Sequence, residues 1–171
     1  MDAWYQTHQN GRFDHNGSWA SKGEVNPVLL NLLLADPYFN QPAPKSTGRE
    51  YFHLPWLQQH LKTSLPAADV QATLLHLTVV SLANEIKKLS TSGNVYLCGG
   101  GALNGALVAQ INAKLPLFNV QATEQLDIDG DALEAMAFAW FAYAYDNKIP
   151  GNIPSATGAS KALVLGVEYF S

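Results

Sequence analysis

Three consecutive glycines, followed shortly by an Asn-Gly pair, are the residues of this chain best suited to hold a ligand. They lie in Asn94–Leu107, NVYLCGGGALNGAL. Glycine has no Cβ, so Gly99–Gly101 can adopt positive φ and let a ligand approach the bare backbone. The apolar run Asn94–Cys98 before them predicts a buried strand. A helix is expected from near Ala102, with one apolar face made by Leu103, Leu107, Val108 and Ile111.

A strand, a glycine turn and a helix in this order point free N–H groups and the positive helix end at an anion or a nucleotide. The spacing of Gly99, Gly101 and Gly105 misses the dinucleotide fingerprint by one residue, and no Gly-Lys-Ser/Thr sequence follows. The alternative interpretation is a tight turn whose small residues only let helix and strand pack closely.

A second group of polar residues lies in the proline-stiffened loop Asn40–Glu50. Lys45, Thr47 and Arg49 of this loop could hold an anionic ligand through charge-assisted and hydroxyl hydrogen bonds. The alternative is a solvated turn in which Ser46 or Thr47 caps the helix behind it.

Two further stretches bear on metal and thiol chemistry. The acidic run at Asp127–Asp131 is not a calcium loop, because its glycine is at the fourth place instead of the sixth and the twelfth place is Phe138. Asp131 with Glu134 instead predicts a capping box at a helix start. The five histidines show no ligand spacing, so we predict no metal ligand in this chain. Cys98 closes a predicted buried strand and is expected to be a small core residue.

Length and composition suit a single globular domain of 171 residues. The net charge of −4 and the absence of a basic stripe argue against nucleic acid as a partner. A single cysteine excludes an internal disulfide. The N-terminus resembles no secretion signal, and no run reaches the roughly 18 apolar residues that span a bilayer. We therefore expect a soluble, cytoplasmic chain.

Hydrophobic periodicity and capping residues predict how the chain is organised. Helices are expected at Met1–His8, from Pro27, within Tyr51–Leu61, over Pro66–Leu89 and after Asp131. Strands are expected at Asn94–Cys98, Leu117–Val120 and Ala162–Phe170. The first two strands, with the helix between them, predict a right-handed parallel βαβ unit in an α/β fold.

Four stretches in register resemble one family. They are PKSTGREYF at Pro44–Phe52, CGGGALNG at Cys98–Gly105, ALEAMAFAW at Ala132–Trp140 and GNIPSATGA at Gly151–Ala159. Together they resemble anhydro-N-acetylmuramic acid kinase, and the similarity covers the chain in order. The family's polypeptide is longer, and residues 1–171 resemble its C-terminal half. The resemblance implies one lobe of the two-lobed actin/Hsp70/sugar-kinase (ribonuclease H-like) superfold: α/β, helix-rich, with a mixed sheet and packed helices.

The resemblance also implies a reaction. The family transfers a phosphoryl group from Mg-ATP to O6 of 1,6-anhydro-N-acetylmuramic acid while water opens the anhydro bridge, giving N-acetylmuramic acid 6-phosphate in cytoplasmic cell-wall recycling. Its base is an aspartate of an Asp-Thr-Gly-Pro-Gly-Asn pattern, expected just upstream of Met1, and its phosphate-binding loop belongs to the first lobe. Without that N-terminal lobe, this chain is expected to hold half an active site and to be inactive.

Site residues follow from the matched motifs. The resemblance places Glu134 against the sugar, where its carboxylate could accept a hydroxyl hydrogen bond. It assigns three residues to the nucleotide, Gly100, Gly101 and Asn104. Three others are expected to meet the lactyl carboxylate of the sugar or only to brace their loop: Lys45, Thr47 and Arg49.

Alternatives to this kinase stay open. One is a non-catalytic module that binds a nucleotide or an amino sugar, and another is a different sugar kinase of the same superfold. A dinucleotide oxidoreductase is less favoured, because the glycine spacing fails and no further βαβ unit follows. The apolar C-terminal half suggests contact with a partner lobe or subunit, and a homodimer is one way to supply it.

Overall fold

The computed structural model describes residues 1–169. Within them, five helices precede the first strand, and the elements follow in the order α1 (Asp2–His8), α2 (Pro27–Leu34), α3 (Pro37–Asn40), α4 (Leu54–His60), α5 (Ala67–Leu89), β1 (Gly93–Leu97), α6 (Gly105–Lys114), β2 (Phe118–Ala122), α7 (Leu133–Asp146) and α8 (Pro154–Thr157). Short 3₁₀ turns lie at His15–Gly17, Ala20–Lys22, Gly100–Leu103 and Thr123–Leu126. The predicted α/β class is confirmed.

The sheet of the described residues consists of β1 and β2. The two strands are parallel, from Gly93 opposite Phe118 to Leu97 opposite Ala122, and α6 makes the crossover between them. The predicted βαβ unit is therefore confirmed. The predicted strand at Ala162–Phe170 is wrong over 162–169, where the backbone makes no strand, and Phe170 lies outside the described residues. Over residues 1–169 the sheet is parallel, not mixed.

Helix α5 is the longest element and separates two hydrophobic clusters. It spans 23 residues, with Asp69 in its first turn and Lys87 and Lys88 in its last turn, as the charges of the helix dipole favour. One cluster joins α5 to α1, α2 and α4, through Trp4, Leu29, Leu33, Leu57, Val70, Leu74 and Leu77. The other joins α5 to the turn at Ala20–Lys22 and to α6, through Ala20, Leu75, Val79, Ala83, Leu107, Ile111 and Leu115.

The strand β1 is half-buried, which corrects the prediction of a buried strand. Val95 and Leu97 pack against the second cluster, whereas Tyr96 is 37% exposed. Helices cover one face of the two-stranded sheet, so alternate residues face outward. Cys98 is likewise exposed and is not the core residue that the sequence predicts.

The start of α7 corrects a second prediction. The helix begins at Leu133, after Ala132, and no side chain caps it. Asp131 does not form the predicted capping box with Glu134, because its own N–H donates to Asp129 Oδ1 at 2.9 Å in a turn before the helix.

In residues 1–169 no helix combines the length and the apolar character that crossing a bilayer requires.

Candidate functional site

Because β1 and β2 are parallel, their carboxyl ends meet at one edge of the sheet, the edge where open α/β sheets bind ligands. The loop after β2 folds back over this edge at Gly130. A methyl group on Gly130 would lie 3.1 Å from Glu124 Oε1, 3.2 Å from Thr123 Oγ1 and 3.6 Å from Cys98 Cα. The close approach brings the chain just before α7 next to the end of β1.

The glycine turn leaves β1 at this edge. Gly99 has φ 71° and ψ −175°, a backbone conformation that is essentially restricted to glycine. A methyl group on Gly99 or Gly100 would meet nothing within 4 Å, so the turn is open. Among the hydrogen bonds of residues 1–169, the N–H groups of Gly100 and Gly101 have no acceptor. The turn therefore offers two free donors and room beside them.

Asn104 ends the turn and begins α6. Its Oδ1 accepts from Leu107 N at 3.0 Å, and Gly105 N donates to Asn16 Oδ1 at 2.7 Å. Helix α6 therefore starts at Gly105, not near Ala102 as predicted, and Leu103 is 70% exposed instead of buried. The expectation of free donors at the helix end is therefore wrong for the N–H groups of Gly105 and Leu107, whereas the N–H groups of Gly100 and Gly101 in the glycine turn have no acceptor within residues 1–169.

A cavity of about 370 Å³ joins the turn to a part of the chain that sequence analysis missed. Gly100, Gly101 and Asn104 lie along one part of it, and the loop before Gly17 together with Gln71 completes the lining. The volume is within the range of small-molecule pockets in proteins. The structure thus brings the three predicted nucleotide residues together in one cavity.

The wall of this cavity opposite the glycine turn contains two buried polar side chains, Asp14 and Gln71. Asp14 is 6% exposed and accepts from Trp19 N at 2.8 Å and Ala20 N at 2.9 Å. Gln71 is fully buried on α5, and its Nε2 donates to Asp14 Oδ2 at 3.4 Å. Its Oε1 has no partner within the described part of the chain.

The ammonium group of Lys45 is bound by other residues of the protein. Its Nζ donates to Glu85 Oε1 at 2.7 Å, Phe39 O at 3.2 Å and Tyr38 O at 3.4 Å, and its side chain is 9% exposed. Hydrogen bonds from Lys45 and Lys88 hold the pKa of Glu85 below its usual range. These contacts are those of a brace between the loop and α5, and a ligand role for Lys45 stays a prediction.

Thr47 and Arg49 lie in the same loop but make no such bonds. Thr47 lines a second cavity, of about 350 Å³, together with Trp4 and Phe52. Arg49 is exposed, and no hydrogen bond or ion pair joins it to residues 1–169. Met1 lines both this cavity and the one at the glycine turn.

The residue that caps α4 is not the one suggested by the sequence. His53 Nδ1 accepts from Trp56 N at 3.0 Å, whereas Ser46 and Thr47 lie outside the helix start. Pro55, which the sequence suggested would interrupt a helix, occupies the first turn of α4, where its missing N–H costs nothing.

Asp36 organises the aromatic residues around the second cavity and was also missed. Its carboxylate accepts from Trp56 Nε1 at 2.8 Å, Tyr51 Oη at 2.9 Å and Tyr38 N at 2.9 Å. Burial opposes the charged form, but these three hydrogen bonds and the nearby charge of His60 outweigh it, so the pKa of Asp36 lies below its ordinary value. Donation to this carboxylate raises the pKa of Tyr51.

Glu134 is exposed in the first turn of α7, four residues after the Gly130 that packs against the end of β1. No hydrogen bond or ion pair within residues 1–169 engages its carboxylate. Both oxygens are therefore free to accept from a ligand.

Comparison with known proteins gives a consistent result. The profile of the family "Anhydro-N-acetylmuramic acid kinase" matches residues 1–171. The kinase of this name from Photobacterium profundum is 48% identical over 178 residues, which cover 99% of this chain and 48% of the relative. Those of Colwellia psychrerythraea and Pasteurella multocida are 46% and 47% identical, with 99% of this chain and 48% and 46% of the relatives covered.

The chain thus spans about half the length of the curated relatives that it matches. The family match extends over every motif that carried the resemblance, including the glycine turn, the polar loop and the start of α7. This chain belongs to the anhydro-N-acetylmuramic acid kinase family.

Proposed function

We propose that this chain is the C-terminal lobe of a kinase that converts 1,6-anhydro-N-acetylmuramic acid and ATP to N-acetylmuramic acid 6-phosphate and ADP. In this proposal the enzyme acts in the cytoplasm, in the recycling of peptidoglycan. The observation that carries it is the open glycine turn, which lies on a cavity of about 370 Å³ in a chain that matches this kinase family from end to end.

The nucleotide is assigned to the glycine turn. The free N–H groups of Gly100 and Gly101 can donate to it, and the missing Cβ atoms leave room for it beside the backbone. Asn104 Oδ1 is occupied by Leu107 N, which leaves its Nδ2 as the side-chain group free to donate to a ligand. In the superfold that the family resembles, ATP lies between two lobes, and this turn would meet its adenosine side.

The sugar is assigned to the start of α7 and to the polar loop. The unengaged carboxylate of Glu134 accepts a hydrogen bond from a sugar hydroxyl. This bond orients the sugar ring for attack. The unpaired guanidinium of Arg49 and the hydroxyl of Thr47 suit the lactyl carboxylate. Lys45 supports this loop through Glu85.

The reaction requires a base that residues 1–171 are not expected to supply. Water gives a proton to this base and attacks C1, the bond from C1 to O6 breaks, and O6 attacks the γ-phosphoryl group with ADP as the leaving group. The family resemblance places the base just upstream of Met1. Met1 lines both cavities, which supports that assignment.

Kinases of this kind use Mg²⁺, which neutralises charge on the ATP phosphates. Within residues 1–169 no cluster of three or more His, Cys, Asp or Glu side chains could hold a metal ion. We assign no Mg²⁺ ligand to this chain, and no step of the proposal passes through one.

The test is ADP release from Mg-ATP in the presence of 1,6-anhydro-N-acetylmuramic acid. It is run on this chain, on the same chain extended upstream by its own coding sequence, and on the P. profundum relative as a positive control. We expect turnover by the extended protein and none by residues 1–171 alone. Silence from both, with an active control, would favour a binding module without turnover. Equal use of glucosamine as the acceptor would favour another sugar kinase.

A further inference from the structure

We infer that Asn16 is a positioning residue for the nucleotide turn and acts on it through Gly105. The inference rests on the proposed function, since it concerns the turn to which the nucleotide is assigned. It involves a side chain that lies 89 residues before its partner and that no motif of the sequence points to.

The contact between Asn16 and Gly105 is short and specific. Asn16 Oδ1 accepts from Gly105 N at 2.7 Å, the first N–H of α6. Asn16 has φ 55° and ψ 16°, the left-handed conformation that asparagine adopts more readily than most residues. Because Asn104 Oδ1 caps Leu107 N in the same helix turn, two side chains from distant segments together fix where α6 begins.

Gly17, next to Asn16, packs closely against the start of α6. Its φ is +66°, and a methyl group there would lie 2.5 Å from Ala106 Cβ and 2.6 Å from Asn104 Oδ1. A methyl group on Gly105 would in turn collide with Asn16 Oδ1. Gly17 and Gly105 therefore leave no room for a side chain where the loop before α2 meets the start of α6.

The loop that carries Asn16 is itself anchored to the core. Asp14 receives N–H groups from Trp19 and Ala20 and the amide of Gln71 on α5. The loop therefore connects α5, through Asp14, to the start of α6, through Asn16. Asn16 also lines the cavity of the glycine turn. With Gly105 N held by Asn16, the free donors beside the cavity are those of Gly100 and Gly101.

Two variants of the upstream-extended protein test this role. Asn16→Gly keeps the left-handed backbone but removes the acceptor, and Asn16→Asp keeps an acceptor of the same shape. We expect Asn16→Gly to raise KM for ATP about five- to tenfold, the size of effect of losing one capping hydrogen bond. We expect kcat and KM for the sugar to change less than about twofold, because the variant weakens binding of the nucleotide equally in the ground state and the transition state.

The conservative variant supplies the rescue. Asn16→Asp should keep KM for ATP closer to wild type than Asn16→Gly does, and KM measured over a range of salt concentrations separates the effect of its added charge. Hydrogen exchange at the Gly105 amide, measured without nucleotide, reports the contact itself. It should be faster in Asn16→Gly and near wild type in Asn16→Asp.

The remaining outcomes decide against the inference in distinguishable ways. Faster exchange at Gly105 with an unchanged KM for ATP would mean that Asn16 only closes the helix. A parallel loss of kcat, of affinity for both substrates and of Tm would mean a general structural role. A wild-type protein that neither binds Mg-ATP nor releases ADP would overturn the proposed function, and the nucleotide role of Asn16 with it.

Discussion

The two ends of this chain bury their apolar residues very differently. All buried apolar residues of the described chain except Ala144 lie between Trp4 and Leu115. Helix α7, although rich in alanine and aromatic residues, leaves Met136, Phe138, Trp140 and Tyr143 between 46% and 65% exposed. The extended segment after α8 is similarly open, with Val167 at 68% and Tyr169 at 88%.

This difference shows that an apolar sequence does not by itself make a core. Helix α5 is covered by neighbouring elements on two sides, whereas α7 has neither a capping side chain nor extensive packing against the sheet. Exposed apolar surface of this kind is typical of protein contact sites. In the proposal that this chain is one lobe of a longer kinase, α7 is the surface that the other lobe or a second subunit would cover.

The largest expected effect contrasts one residue from each region. Leu75→Ala, at a side chain that is 1% exposed on α5, should lower the free energy of unfolding by about 3 kcal/mol. Phe138→Ala, at 65% exposure on α7, should change it by no more than about 0.5 kcal/mol. Urea unfolding of both variants measures this. Equal costs would contradict the comparison, because Phe138 would then be part of a core.

The next largest effect on stability is expected at Asp36, because its carboxylate accepts hydrogen bonds from three donors of the well-packed region. Asp36→Ala should cost about 2–3 kcal/mol of unfolding free energy by leaving those donors without their charged acceptor. Denaturation at pH 7 measures the loss. As a matched control, Asp131→Ala removes an exposed carboxylate of the other region and should be nearly neutral.

The same carboxylate predicts a pH dependence. Because the folded pKa of Asp36 is lowered, its stabilisation is fully present above the ordinary aspartate value of about 4 and is lost as pH falls through the lower, folded value. The difference in unfolding free energy between wild type and Asp36→Asn should therefore shrink below about pH 4. A difference that stays constant down to pH 2 would rule out this linkage.

Substitution of two glycines distinguishes the cost of backbone strain from the cost of a steric clash. Gly17 and Gly158 have φ of +66° and +73°, but a methyl group would collide at Gly17 and make only a 3.4 Å contact with Pro44 Cγ at Gly158. We expect Gly17→Ala to cost about 2 kcal/mol and Gly158→Ala about 1 kcal/mol. Thermal unfolding gives the order, and a reversed order would show that the Gly17 junction yields easily.

The smallest effect concerns the two lysines that share Glu85. The Lys45 side chain is 9% exposed and that of Lys88 57%. Lys45→Ala should cost about 1 kcal/mol, whereas Lys88→Ala should cost less than about 0.5 kcal/mol, because exposed ion pairs are weak. Stability measured at low and high salt distinguishes them, and equal values for both variants would argue against Lys45 as a brace.

Elements with strong local determinants could be predicted from the sequence. Asn26 Oδ1 accepts from Leu29 N at 2.9 Å, as the Asn-Pro pair suggested, and α5 differs from its predicted range by one residue. The βαβ unit followed from two short apolar runs around a helical stretch. Each of these depends on residues close together in the chain, where propensity and periodicity apply.

Features that depend on distant residues could not be predicted. The late start of α6 is fixed by Asn104 together with Asn16, which is 89 residues from Gly105. The exposure of Cys98 depends on which faces of the sheet other elements cover. The strand predicted at Ala162–Phe170 is rich in apolar residues, but over 162–169 no neighbouring strand pairs with it. The run of three glycines identified the turn in the sequence, whereas the loop facing it carries no pattern of its own.

The most direct test of the nucleotide site uses selective ¹⁵N labelling of the 13 glycines of this chain, each of which reports on its own amide. We predict that Mg-ATP shifts the amide resonances of Gly100 and Gly101 most and leaves Gly48 and Gly158 unchanged. Larger shifts at Gly48 or Gly158, or none at the turn up to millimolar Mg-ATP, would contradict the assignment of the nucleotide to this turn.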